Sequence, residues 1–347
     1  MKKILFSVLL LAACAVFFGC TGGKNDNVLR VYNWGEYIDE DLQAEFEKET
    51  GIKVIYDTFS TNEEMYPRIE ADPSLYDVIC PSEYMVEKMM QKNLLQEIDW
   101  SKLSNKDNLG KTYLDILDRF IDPGNKYMVP YCWGTVGILY NTKLVDEVPD
   151  SWNVLWDEKY KGSILMQDSV RDAFMVAQKL LGYSLNTKDE TELQACMEKL
   201  QEQYPLVKGY VIDEVRDKMI AGDTALGVIY SGEYLYCQEK NPDLAYIVPK
   251  EGTNVWYDGW VITKGCKNVD AAHKWIDFML RADVAYRNFE YITYSTPNKA
   301  AEEFIDEEIL NDPAVFPDDE LVDTYEMYVY LGEETEDLYY ELWKKVK

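Results

Sequence analysis

The chain has 347 residues, 47% of them hydrophobic, with charged residues spread along its length, which indicates a folded globular protein of one large domain or two. Its formal net charge of −28 argues against nucleic acid and anionic membrane surfaces as partners, since both require basic patches. Such acidity suits a cationic ligand, although solubility alone also accounts for it.

The first residues read as an address. Lys2 and Lys3 precede an apolar run, Ile4 to Phe18, that is too short to span a bilayer comfortably. Gly19-Cys20 and a polar stretch to Asn27 follow, as in a bacterial lipoprotein signal, so residues 1–19 are expected to be removed. Cys20 would then carry lipid and residues 20–27 would form a tether. Leu11-Ala12-Ala13-Cys14 is the better lipobox by residue type, but Ala15-Val16-Phe17-Phe18 makes a poor tether, which favours Cys20.

From Val28 the pattern is strand, helix, strand, helix, strand: Val28–Tyr32, a helix capped by Asp39 and closed at Gly51, Ile52–Tyr56, Asn62–Ala71 and Tyr76–Cys80. This predicts a mostly parallel α/β sheet, whose ligands sit beyond the carboxyl ends of the strands. Trp34–Tyr37 and Ser82–Tyr84 occupy that position, and Glu83–Gln91 continues as helix. Further on, Tyr127–Trp133 and Thr135–Tyr140 read as two strands divided by Gly134. A second α/β set has helices near Ala173–Leu181, Glu190–Gln203, Asp213–Ile220 and Glu233–Lys240, with strands at Ala225–Tyr230 and Leu244–Val248. A helix at Val269–Leu280 and a loop containing Tyr291–Pro297 come next. The tail reads as helical near Ala300–Leu310 and Asp319–Leu331.

Val255-Trp256-Tyr257-Asp258-Gly259-Trp260 packs two indoles, a phenol and a carboxylate into six residues. On a regular strand Trp256, Asp258 and Trp260 share one face and Tyr257 takes the other. An anion beside π faces suits a slender organic cation, which gains about 0.5–2 kcal/mol over each ring. A half-buried strand with tryptophans in the core is the plainer interpretation.

Signs of catalysis are sparse. The single histidine, His273, lies on a predicted helix and reads as a packing or surface residue. No G-x-S-x-G elbow, phosphate loop or G-x-G-x-x-G fingerprint is present. Cys80, Cys132, Cys196, Cys237 and Cys266 are scattered and odd in number, as befits buried thiols rather than disulfides or a zinc site. No metal or cofactor is indicated. Aromatic, acidic clefts also suit sugars, so a sugar-binding protein or a two-carboxylate glycosidase is the alternative.

Several stretches match a known family in chain order: Val31–Tyr37, Glu49–Tyr56, Tyr76-Asp77-Val78 with Pro81-Ser82, Pro130–Gly134, Lys159–Ser163, Trp256-Tyr257-Asp258 and Ser295–Asn298. Together they resemble the spermidine/putrescine-binding (PotD) family, over nearly the whole chain from Val28. The resemblance implies a non-enzymatic extracytoplasmic receptor that delivers ligand to the permease and ATPase subunits of an ABC importer. It implies an α/β, two-lobed fold of the type II periplasmic-binding-protein kind, closing on a polyamine by hinge motion. Lobe 1 is expected at residues 28–131 plus 258–297, and lobe 2 at 132–257 plus 298–347. Family ligand contacts fall on Trp34, Tyr37, Ser82, Tyr84, Trp256, Asp258 and Tyr294. Asp172 stands where the family has glutamate, and Tyr230 where it has tryptophan. Ser169 replaces an aspartate of the spermidine-preferring members, although Asp168 is adjacent. Gly35 replaces a threonine, and Tyr328 falls near a glutamine contact. Loss of the carboxylate at Ser169 should penalise a triamine more than a diamine, so putrescine is expected to bind at least as well as spermidine.

Overall fold

The computed structural model describes residues 27–317 and 325–347. β1 (Val28–Trp34), β2 (Lys53–Phe59) and β3 (Val78–Ile79) run parallel with β1 in the middle, joined by α1 (Glu40–Thr50) and α2 (Asn62–Ala71). The ends of α1 form for local reasons. The Asp39 carboxylate accepts from the Asp41 N–H, and Gly51 closes the helix at φ 69°, a left-handed turn that costs glycine little. Leu42 and Phe46, one turn apart, bury the inner face, and Phe46 meets Trp275 edge to face at 5.2 Å. α3 (Glu83–Gln91) follows β3 directly.

The remaining strands are β4 (Leu95–Gln96), β5 (Val129–Asn141), β6 (Ile164–Gln167), β7 (Val207–Val211), β8 (Leu226–Tyr230), β9 (Leu244–Ile247) and β10 (Val255–Thr263). Two of them hold the molecule together. β5 pairs antiparallel with β10 through Val129–Thr135, then with β8 and β9 from Val136 onward. β10 reaches the other way, to β3 and β4 through Val261–Thr263. The sheet order is β2-β1-β3-β10-β5-β8-β6-β7, one curled sheet with β10 and β5 at its middle.

β5 corrects the expectation of two strands. It is one run of 13 buried residues, and Gly134 does not break it. A Cβ at Gly134 would stand 2.7 Å from both the Trp256 ring and the Ser231 Oγ, so the glycine is there to let the neighbouring strand approach. The tail is a second correction. Residues 325–331 are not helical; Glu326 forms a bridge to Asn254, and the helix runs over Glu333–Val346 instead. Residues 319–324 of the expected tail helix lie outside the described residues, as do the leader, Cys20 and the tether up to residue 26. Two further helices, Lys111–Phe120 and Ala282–Ile292, had no counterpart in the sequence reading, and the second takes in Tyr291.

The C-terminal helix packs on the helices Val170–Leu181 and Glu190–Gln203, its Tyr339 and Trp343 meeting Phe174. His273 is 2% exposed; its Nε2 accepts from the Asp99 N–H at 2.9 Å while Nδ1 donates to the Val269 carbonyl at 2.7 Å. Both nitrogens are thus spent on structure. Cys80, Cys132, Cys196 and Cys237 are buried free thiols, and Cys266 is half-buried. Among the described residues, no helix is long and apolar enough to cross a membrane.

Candidate functional site

The ends of β1 and β3, the start of the helix Val170–Leu181, the end of β8 and the middle of β10 converge on one cavity of about 280 Å³. All ten residues expected to touch ligand line it: Trp34, Tyr37, Ser82, Tyr84, Asp168, Asp172, Tyr230, Trp256, Asp258 and Tyr294.

The floor comes from β10. Trp256 and Asp258 face the cavity, while Tyr257 points away and stacks on Trp133 at 6.1 Å. Trp260 does not join them. The register of β10 against β5 shifts between Asp258 and Gly259, where β5 carries the extra, unpaired residue, Tyr131, and β10 itself runs on unbroken. Trp260 lies further along the strand than the cavity reaches, fully buried in the core against Tyr131 and Trp275. Asp258 is 5% exposed and accepts a 2.7 Å hydrogen bond from the Ser82 hydroxyl. Burial pushes its carboxyl up to about 7, with the Ser82 and Tyr37 hydroxyls pulling the other way. The Trp256 indole N–H is buried without a hydrogen-bond partner.

The walls are aromatic. Trp256 meets Tyr230 edge to face at 6.1 Å and Tyr294 at 5.5 Å, and Tyr294 meets Tyr37 at 5.1 Å. Trp34 leans on Phe59 at 4.6 Å, and its indole N–H is likewise buried without a partner. Gly232 is required for this wall, because any Cβ there would fall 2.1 Å from the Tyr294 ring. Tyr84 donates to Glu63 at 2.9 Å and accepts from Asn62 at 3.1 Å, which fixes its ring at the edge of the cavity.

The second carboxylate stands on the helix Val170–Leu181, which starts three residues earlier than its sequence suggested. Ser169 is its N-cap, accepting from the Asp172 N–H, and Asp172 lies in the first turn, where the helix dipole favours an anion. The hydroxyls of Tyr230 and Tyr328 donate to the two oxygens of Asp172 at 2.7 and 3.0 Å. Arg171 does not neutralise it. Its guanidinium donates to the Leu185 and Val329 carbonyls and to Asn186, and lies 4.3 Å from the Tyr328 ring centre. Asp168 sits at the exposed rim, in an ion pair with Lys347.

Several lining residues escaped the sequence reading: Glu63, Glu83, Asp213, Arg216, Glu233 and Tyr340. Glu83 is fully buried, accepts from the Tyr257 N–H at 2.9 Å and is pushed up to about 8 by burial. Nothing local distinguishes it from the other 62 acids except that it follows Ser82, a residue already singled out. Among the described residues, no group of His, Cys, Asp and Glu has the arrangement of a metal site.

Comparison with known proteins agrees with this geometry. Residues 41–317 match the family described as bacterial extracellular solute-binding protein. The spermidine/putrescine-binding periplasmic protein of Escherichia coli is 38% identical over 100% of this chain and 99% of its own. The putrescine/cadaverine-binding protein of Pseudomonas aeruginosa is 32% identical, covering 92% of this chain and 91% of its own. Among solved structures, the spermidine/putrescine ABC transporter substrate-binding protein PotD of Streptococcus pneumoniae is 42% identical, with a TM-score of 0.79 over 92% of this chain and 100% of that one. A Listeria monocytogenes protein, also 42% identical, superposes with a TM-score of 0.88 over 92% of this chain and 98% of that one. None of these relatives is an enzyme or a sugar receptor, so the sugar and glycosidase alternative loses its footing. The chain belongs to the bacterial extracellular solute-binding proteins, a periplasmic or extracellular family, and within them to the spermidine/putrescine-binding branch with its two-lobed fold.

Proposed function

We propose that the cavity binds a linear polyamine, putrescine or spermidine, and that the protein hands it to the permease and ATPase subunits of an ABC importer without catalysing a reaction. One observation carries this reading. Asp258 and Asp172 are buried carboxylates with hydroxyl donors but, among the described residues, no ion-pair partner, in a cavity walled by tryptophan and tyrosine. A buried charge is costly unless it is paired, and a diammonium chain supplies the missing partners while its methylenes lie against the rings.

The proposed ligand contacts are Trp34, Tyr37, Ser82, Tyr84, Asp172, Tyr230, Trp256, Asp258 and Tyr294, with Asp168 at the rim. Lobe 1 is taken as residues 28–131 plus 258–297 and lobe 2 as 132–257 plus 298–347. The exchange of partners along β5 and β10 supports hinge crossings in those strands. Closure would exclude water and so strengthen the pairing of ammonium and carboxylate. Residues 1–19 are proposed as a cleaved signal and Cys20 as the lipid anchor.

Putrescine should bind at least as well as spermidine. Asp168 and Glu36, the carboxylates that could replace the one absent at Ser169, are each engaged by a cation, Lys347 and Arg216. Calorimetric titration of the protein starting after Cys20 tests the function. One-to-one binding of putrescine and spermidine is expected, with none of maltotriose; silence toward both amines would refute the polyamine reading.

A further inference from the structure

The cavity contains an acidic group that the binding of a diamine leaves unused. Glu36 from the loop after β1, Asp213 just before the helix Glu214–Ile220, and Glu233 in the helix Gly232–Lys240 all line it. Among them stands Arg216, which also lines the cavity and whose side chain is only 20% exposed. Its guanidinium donates to Glu36 and, at 3.5 Å, to Glu233, and it lies 4.7 Å from the Tyr236 ring centre. Glu233 in turn accepts from the Tyr294 hydroxyl at 2.9 Å, and Tyr294 is the ring packed between Trp256 and Tyr37. The acidic group is therefore continuous with the aromatic wall.

A cluster of three carboxylates around one cation, beside a cleft for cations, has the composition of an ammonium subsite with its occupant supplied by the chain. Burial raises the acids of Glu233 and Asp213, and the Arg216 charge pulls both back down. Like charges disfavour one another strongly in such a poorly solvated place. A ligand ammonium entering here would have to displace Arg216 from Glu36 and Glu233 or face it unpartnered.

We propose that Arg216 is a specificity-determining internal counter-cation: it stands in for the third ammonium of a longer polyamine and restricts the cleft to two. The inference rests on the polyamine reading. It assigns selectivity to a residue outside the aromatic and carboxylate contacts of the ligand itself. It also separates length selection from the missing carboxylate at Ser169, which lies on another element.

The experiment is calorimetric titration of wild type, Arg216→Gln, Arg216→Lys and Glu36→Gln with putrescine and with spermidine. Arg216→Gln should raise spermidine affinity relative to putrescine tenfold or more, with a steeper salt dependence for spermidine only. Arg216→Lys keeps the charge and should keep the wild-type ratio. Glu36→Gln, a change at a side chain that is 67% exposed, leaves Arg216 less compensated and should lower spermidine relative to putrescine. An equal loss for both ligands in Arg216→Gln would mark a bridge between lobes and overturn the proposal, as would an unchanged ratio. If Arg216→Gln does not fold, the Glu36→Gln ratio decides alone, and no change in it overturns the proposal. Wild type binding neither amine would overturn the polyamine reading before any variant is made, and this inference with it.

Discussion

The two acidic regions of the cleft have similar residues and opposite states of pairing. Around Asp258 and Asp172, the carboxylates receive hydrogen bonds from Ser82, Tyr230 and Tyr328, and no lysine or arginine approaches within ion-pair distance among the described residues. Around Glu233 and Glu36, Arg216 has already taken the place a ligand cation would take. An acid-rich cavity is thus not uniformly a cation site. What marks the binding region is the pairing left undone, and hydroxyl donors suit it because they stabilise a carboxylate without cancelling its charge.

The contrast is broken most severely by removing the unpaired charge. Asp258→Ala should weaken putrescine by about 3–5 kcal/mol, because one ammonium would be buried without its partner. Calorimetry reads this directly, and a loss under tenfold would count against the assignment. Next in size is the difference between two tryptophans four residues apart. Trp260→Ala should cost about 3–5 kcal/mol of folding stability while the folded fraction binds normally. Trp256→Ala should instead act on binding, by about 1–3 kcal/mol, the loss of one desolvated cation–π wall. Denaturant melts and titrations on both variants separate the roles, and identical profiles would contradict this division.

Protonation gives a third handle. With the Asp258 carboxyl at about 7 when folded against an ordinary value of 3.8, the ligand-free protein holds a proton that the unfolded chain has lost. Its stability should therefore fall as pH rises from about 4 to 7 and level off above. Glu83, at about 8, extends the same trend upward. Ligand amines remain charged throughout, so the rise in Tm produced by putrescine should be larger at pH 8 than at pH 5. The smallest expected effect is Ser169→Asp. Aspartate caps a helix as well as serine does, so the helix Val170–Leu181 should persist. The added carboxylate beside Asp172 should move the spermidine-to-putrescine ratio a few-fold toward spermidine, an effect that comparative titration resolves.

Much of this was legible in the chain because its causes are local. The Asp39 cap, the Gly51 stop and the helix Glu190–Gln203 follow from neighbouring residues, and the cleft residues fall where known motifs put them. Features set across the sheet were not legible. Gly134 looks like a breaker until Trp256 on the adjacent strand is seen to need its space. That Trp260 ends in the core and not in the cavity depends on Tyr131 and Trp275, which only folding brings against it. Arg216 sits in an unremarkable helical pattern, and only folding brings Glu36 and Glu233 to it.

The most direct test of the unpaired charge is the number of protons released when putrescine binds. It is obtained by titrating wild type and Asp258→Asn at pH 6, 7 and 9 in buffers of different ionisation enthalpy. An ammonium that pairs with Asp258 must drive off the proton held there, so wild type should release most of one proton at pH 6, less at pH 7 and almost none at pH 9. Asp258→Asn should lose that release along with most of its affinity. Tight binding by Asp258→Asn, or no proton release from wild type at pH 6, would contradict the assignment of Asp258 as the ammonium partner.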